Sequence, residues 1–234
     1  MNQEIYVQRS ATGAAVVVRE AVYRVFFWMA FGLGVTALVA MGVASSDTLQ
    51  EVVIGNRLIF FGCIIAQLGL VITFQRLAQR LSAPGVSALF LAYAALSGVT
   101  FAVIFLAYTK QSIATTFFVT AGTFGLTALF GATTKRDLTS VGSLAFMGLI
   151  GVILASIVNI FLQSPVLLWV TTLLGIAVFV GLTAYDMQKV KADAGTLTGD
   201  RTARERWAVS WALRLYLDFI NLFLFILRLT GSRR

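Results

Sequence analysis

Apolar residues along this chain come in long runs separated by short polar breaks, the spacing of helices that cross a bilayer. The runs predict spans at about 25–44, 58–76, 84–108, 112–132, 141–162 and 165–187. Pro84 and Pro165 each stand where a span begins, a position that tolerates the missing N–H and the fixed φ. In the first span Ala30 and Gly34 have the small-xxx-small spacing that lets helices approach closely, and Gln67 interrupts the second with an amide able to bond across an interface. Residues 1–24 read as a polar, mobile cytoplasmic segment with an amphipathic lead-in over 14–25. Residues 134–138 read as a charged turn, 188–206 as the only substantial late loop, and 230–234 as a tail. A single transmembrane domain over 25–229 is expected.

The last run, 207–228, differs from the others. At helical spacing Trp207, Trp211, Arg214, Asp218, Asn221, Phe225 and Arg228 form one stripe, and the other faces are apolar enough to meet lipid or neighbouring helices. A carboxylate at the centre of a bilayer costs at least about 2.5–3.5 kcal/mol, so such residues turn to a bundle interior or a wet cavity. Asp218 therefore needs a partner. As a helix, 22 residues rise about 33 Å, enough to make this a seventh span.

With a cytoplasmic N-terminus, Arg9, Arg19, Arg24, Arg76, Arg80, Lys135, Arg136 and the basic residues of 188–206 fall on the cytoplasmic side. The opposite side holds Arg57, Lys110 and the tail. A re-entrant final stretch would return Arg228, Arg233 and Arg234 to the cytoplasm and make the bias cleaner; its length favours a full span.

Composition narrows the chemistry. Only 12% of the residues are charged and 59% are hydrophobic, against about 25% charged in a soluble domain, so the chain is an all-α polytopic membrane protein. Its net charge of +8 lies in short loops and tails, which points to membrane orientation rather than nucleic acid. One cysteine, Cys63, in an apolar run, allows no disulfide framework and no zinc cluster. Histidine is absent, which removes the usual zinc, haem and Ser/His chemistries; any pH response near neutrality falls to a carboxylate displaced from its ordinary range. No cofactor is expected.

Within the apolar runs the acidic residues reduce to Asp186 and Asp218. Asp186 is three residues before Lys189, whereas Asp218 is 12 residues beyond Arg206, about 18 Å along a helix, so their depths differ by over about 10 Å if both helices enter at one level. They agree better if Arg214 snorkels to the headgroups, with Asp218 about 6 Å deeper. An Asp186–Asp218 pair is one outcome; an intrahelical Arg214–Asp218 pair, or a pair between Asp218 and Arg76, is another. Asp186 could equally be an interfacial residue paired with Lys189.

Ala184-Tyr185-Asp186 followed by Gln188-Lys189, the run Leu215-Tyr216-Leu217-Asp218-Phe219-Ile220-Asn221-Leu222-Phe223, Lys135-Arg136-Asp137-Leu138, and Ser97-Gly98 together resemble the Bax inhibitor-1 family, its short bacterial members above all. The resemblance covers the chain from the first span onward. It implies a seven-helix bundle with the C-terminal helix central, in a bacterial inner membrane, and a pH-sensitive calcium leak. It further implies that Asp186 and Asp218 share a proton and that an arginine ending the second helix, Arg76 or else Arg80, acts as gate. Two carboxylates in one low-dielectric site cannot both ionise cheaply and titrate as a coupled pair. For calcium, which prefers six to eight oxygens, Asp186, Asp218, the Asn221 amide, Tyr185 or Tyr216 and water make a site of passage rather than storage. The expected partners are the lipid bilayer, calcium ions, protons and further membrane proteins.

Two other classes compete. An intramembrane aspartyl protease would explain Tyr185-Asp186, but Leu215-Tyr216-Leu217 precedes Asp218 where that chemistry's signature has Gly-x-Gly. A non-transporting protein of membrane stress or quality control would instead depend on residues 188–206.

Overall fold

The computed structural model describes residues 2–197 and 200–234. Its elements in order are α1 Asn2–Ala44, α2 Asp47–Gln50 leading into a π-helical turn Glu51–Gly55, α3 Arg57–Arg80, α4 Ala83–Ala107, α5 Lys110–Thr133, α6 Thr139–Leu162, α7 Pro165–Gly195 and α8 Arg201–Thr230. Six helical stretches are long and apolar enough to cross a membrane: Val16–Ala44 of α1, then α3, α4, α5, α6 and α7. At 30 residues α8 is long enough too, but Arg204, Glu205, Arg206, Arg214, Asp218 and Arg228 lower its hydrophobicity.

Two expectations about boundaries are corrected. Residues 2–24, read as a mobile segment, are helical, because α1 runs unbroken from Asn2. A helix nucleated in the apolar part propagates at little cost through residues 2–24, which hold no proline. Residues 188–206 are not a loop either: α7 continues to Gly195 and α8 begins at Arg201. Residues 198 and 199 lie outside the described residues. Pro84 and Pro165 do open α4 and α7 as their φ preference requires.

The chain forms two compact units, one built from residues up to Val103 with Val190–Leu213, the other from Ile104–Lys189 with Arg214–Arg234. In the first, α1 buries Ala21, Val25, Met29, Gly32, Thr36, Ala40 and Val43, a stripe at three- and four-residue steps. Ala30 and Gly34 are on the opposite, exposed face, so the close approach expected there occurs elsewhere. It occurs at Gly98 of α4, where a Cβ would come within 2.6 Å of the Thr36 carbonyl oxygen. Thr36 Oγ1 reinforces that contact by donating to the Ala94 carbonyl at 2.8 Å. Gln67 bonds across α3 and α4 as its chemistry suggested, donating to Thr100 Oγ1 and accepting from Ser97 Oγ, each at 3.1 Å. Near the start of α8, Glu205 accepts from Arg24 Nη1 at 3.1 Å and Trp28 Nε1 at 2.7 Å.

In the second unit, Phe219 of α8 packs on Phe117 and Phe124 of α5, and Phe225 packs on Phe179 and over Gly175 of α7. Past α8 the chain folds back on the α4–α5 turn. Thr109 N–H donates to the Ser232 carbonyl at 3.2 Å, Arg234 N–H to the Ala107 carbonyl at 3.0 Å, and Ser232 N–H to Ser112 Oγ at 2.9 Å. Arg233 lies over the Tyr108 ring.

Candidate functional site

Aspartates that sequence separates by 32 positions share the second unit: Asp186 in α7 and Asp218 in α8. Both are buried, with relative exposures of 6% and 5%. Arg214, also in α8, brings Nη1 to 3.6 Å from Asp186 Oδ1, while more than half of its own side chain stays exposed. Asp218 lies within electrostatic reach of both Asp186 and Arg214. Its Oδ2 is buried and has no hydrogen-bond partner. An ionised oxygen left in that state costs about 1–3 kcal/mol or more, so this is where a proton, a water or a cation would gain most.

Both helices are longer than their apolar cores, and measured from the helix ends it is Arg214, not Asp218, that comes nearer the level of Asp186: Asp218 is 17 residues, about 25.5 Å, from the start of α8. Asp186 is nine residues, about 13.5 Å, from the end of α7, and Arg214 is 13 residues, about 19.5 Å, from the start of α8. The stripe on α8 is corrected in detail. Asp218 is its only fully buried member, whereas the apolar face at Ala208, Val209, Ala212, Leu215, Tyr216, Leu222 and Leu227 is the one sealed from the surface. Leucine and alanine lose nothing on burial there, while Arg214 and Arg228 keep their charges outward.

One face of α7 is held by the α5–α6 hairpin. A Cβ on Gly131 of α5 would collide with the Ala184 carbonyl, and one on Gly142 of α6 would reach 2.5 Å from the Tyr185 ring. Gln188 completes the contact: its Oε1 accepts from Leu138 N–H at 2.9 Å and its Nε2 donates to the Arg136 carbonyl at 2.8 Å. On a helix Ala184, Tyr185 and Gln188 share a face, and Asp186 projects about 150° away from its middle. In the turn itself, Asp137 Oδ1 accepts from Thr139 N–H at 2.9 Å and Thr139 Oγ1 at 2.7 Å. The Thr139 hydroxyl first, then its backbone N–H, hold the Asp137 carboxyl below the usual range.

The remaining predicted residues take varied places. Asn221 Nδ2 donates to the Leu217 carbonyl of its own helix at 2.8 Å. Tyr185 packs on Gly142 with the Lys189 ammonium 5.5 Å from its ring, and Tyr216 is fully buried. Arg76 and Arg80 stand in the last turns of α3, in the first unit. Among the described residues no three His, Cys, Asp or Glu side chains gather into a metal cluster. Gln188 is the functional candidate that residue chemistry alone missed: both its partners are backbone groups about 50 positions away, which leave no side-chain signature.

The four segments Lys135–Leu138, Ala184–Asp186, Gln188–Lys189 and Leu215–Phe223 thus converge in one unit. A family model described as "Inhibitor of apoptosis-promoting Bax1" matches residues 18–234. The chain belongs to the Bax inhibitor-1 family. Inner membrane protein YbhL of Escherichia coli K12 is 50% identical over 212 residues, covering 90% of this chain and 91% of that one. A Borreliella burgdorferi protein is 43% identical over 211 residues (90% and 91% covered), and one from Deinococcus radiodurans 41% over 217 (92% of each). With six apolar helices of spanning length, this Bax inhibitor-1 family member is an integral membrane protein.

Proposed function

We propose that the protein is a pH-sensitive calcium leak in a bacterial inner membrane, with Asp186 and Asp218 as a proton-sharing pair that controls the ion path. The observation that carries this reading is the buried, unpartnered Oδ2 of Asp218 within electrostatic reach of a second buried carboxylate, Asp186. Two such groups in a dry site titrate together, and a shared proton relieves their repulsion. When the proton leaves, the site demands a cation. Arg214 supplies one to Asp186 from a partly exposed position, so it acts as counter-ion; Arg76 of α3 is the second arginine proposed for gating. Calcium passing here would draw on the two carboxylates, the Asn221 carbonyl oxygen, a tyrosine hydroxyl and water, too few fixed oxygens for tight storage. Proton and calcium are the permeant or titrating species, and the protein does no covalent chemistry.

Seven spans with a cytoplasmic N-terminus and a central α8 complete the proposal. Support comes from the ends of α8. Arg206 Nη1 donates to the Gln79 carbonyl, four residues before α4 begins, and the chain just past α8 pairs with residues just past the end of α4. At 30 residues, about 45 Å, α8 is long enough for a full crossing, and these contacts near its two ends support one. The sealed apolar face of α8 supports its central position.

The test is initial calcium flux into liposomes holding the purified protein, between pH 6 and pH 8. A flux that varies with pH in wild type and loses that variation in Asp186→Asn and Asp218→Asn is the expected result. Absence of any flux above protein-free liposomes would favour a non-transporting role in membrane stress control.

A further inference from the structure

We propose that Gln188 is a positioning residue for the Asp186–Arg214 contact, its amide setting the rotation of α7 by gripping the backbone of the α5–α6 turn. The proposal rests on Asp186 and Arg214 acting together in the functional site. Three observations carry it. First, Gln188 satisfies two backbone groups on either side of Asp137, the Leu138 N–H at 2.9 Å and the Arg136 carbonyl at 2.8 Å, and Leu138 opens α6 with no side-chain cap of its own. Each is an orphan group that would otherwise need water. Second, the neighbouring contacts at Gly131 with Ala184 and Gly142 with Tyr185 leave no room for α7 to shift toward the hairpin, and on that same face the two amide bonds add directional contacts that a rotation about the helix axis would break. Third, Asp186 projects from the opposite face of α7, where Arg214 meets it at 3.6 Å. A helix turned by a single residue's angle, about 100°, would break both amide bonds and carry the carboxylate away from the guanidinium.

The side chain suits that task and few others would. It must donate and accept at once; glutamate keeps the acceptor but turns a second oxygen toward the Arg136 carbonyl, and methionine keeps the length with neither bond. Gln188 carries no charge, so it acts on Asp186 by geometry alone. The charged groups near α7 here are Arg214 and Asp218 of α8, Lys189 of the next turn of α7, and Lys135, Arg136 and Asp137 of the turn, of which Asp137 is engaged by Thr139.

The experiment is nitrogen-detected NMR of the full chain in nanodiscs. The Arg214 guanidinium is assigned through Arg214→Lys, and the Trp28 indole N–H, bonded to Glu205, serves as folding control. A guanidinium held by a carboxylate rotates slowly and shows separate Nη signals; a free one shows an average. Gln188→Ala and Gln188→Met should collapse the Arg214 signals to the average while the Trp28 signal stays in place. Gln188→Glu should give an intermediate result, and Gln188→Ala added to Asp186→Asn should change nothing further. Wild-type Arg214 signals in Gln188→Ala and Gln188→Met overturn the proposal. Should Gln188→Ala also displace the Trp28 signal, Gln188→Glu decides, and an unchanged Arg214 there overturns it. If Arg214 responds as expected but no protein passes calcium, the leak reading fails and the positioning role stands.

Discussion

Arg214 reaches Asp186 at 3.6 Å across two helices, while Asp218, one turn along from Arg214 on the same helix, keeps a buried oxygen without a partner. The three groups hold one more acid than base. That imbalance distinguishes the site from a neutral structural ion pair: whatever satisfies Asp218 must come from outside the pair, as a proton, a water, a cation or a second arginine.

The imbalance predicts how the proposed leak responds to neutralisation. Asp218→Asn and Asp186→Asn should each flatten calcium flux between pH 6 and 8, and the double variant should add little, because coupled carboxylates work as one unit. Wild-type pH profiles in both single variants would remove the pair as sensor.

Removing the counter-ion should cost stability. Arg214→Gln leaves Asp186 buried without its guanidinium; a fully buried pair broken this way costs about 3–5 kcal/mol, and an exposed one up to about 1. With over half of the Arg214 side chain exposed, about 1–3 kcal/mol is expected, seen as a lower melting temperature in detergent. Adding Asp186→Asn should recover most of it. Equal melting of Arg214→Gln and wild type would show that the contact holds nothing together.

Much of this was legible in the chain and some was not, for physical reasons. Apolar run length revealed the spanning helices, and the polar interruptions at Gln67, Asp186 and Asp218 marked interior sites, because lipid tolerates few polar groups. Helix ends were illegible: polar residues beyond the bilayer carry no hydrophobic signal, so residues 2–24 and much of 188–206 hid as apparent loop. The expectation of close packing at Ala30 and Gly34 failed because small residues say that a close approach is possible, not which face makes it. Gln188 escaped since a backbone partner leaves no residue type to recognise.

Glycine substitutions test those packing faces. Gly131→Ala places a methyl against the Ala184 carbonyl, which as helix backbone cannot swing aside, and overpacking of this kind costs about 1–3 kcal/mol. Gly34→Ala meets open space and should stabilise slightly through helix propensity. Thermal melting of the two variants should move in opposite directions. A Gly131→Ala protein as stable as wild type would contradict the close α5–α7 approach.

Asp137 makes a prediction outside the membrane. Its carboxyl sits below the usual range because the ionised form accepts two bonds from Thr139. A depressed carboxylate stabilises the fold above its unfolded pKa and loses that contribution as pH falls through the folded value. The cap on α6 should therefore persist at neutral pH and weaken only below about pH 4. Thr139→Ala removes the hydroxyl bond and should raise the Asp137 titration toward the ordinary range, read from its side-chain carbon shift by NMR. An unmoved titration would locate the cause elsewhere.

Topology offers the sharpest test, since the tail contacts and the charge bias pull in opposite directions. Basic residues past α8 favour a C-terminus returned to the cytoplasm, whereas the pairing of residues 232 and 234 with the α4–α5 turn ties it to the side where Lys110 lies. The backbone bonds are local and specific, while the positive-inside bias is a statistical sum over loops that three arginines at a chain end can oppose. Single cysteines at positions 2 and 233, each in a Cys63→Ser background, should accordingly be labelled by an impermeant thiol reagent from opposite sides of sealed vesicles. Disrupting the latch should leave sidedness intact but loosen the tail: Ser112→Ala and Tyr108→Ala should speed amide exchange at 232 and 234 without changing which side is labelled. Labelling of both cysteines from one side would make α8 re-entrant, and the tail would then need to meet the α4–α5 turn through the membrane, which four residues cannot do.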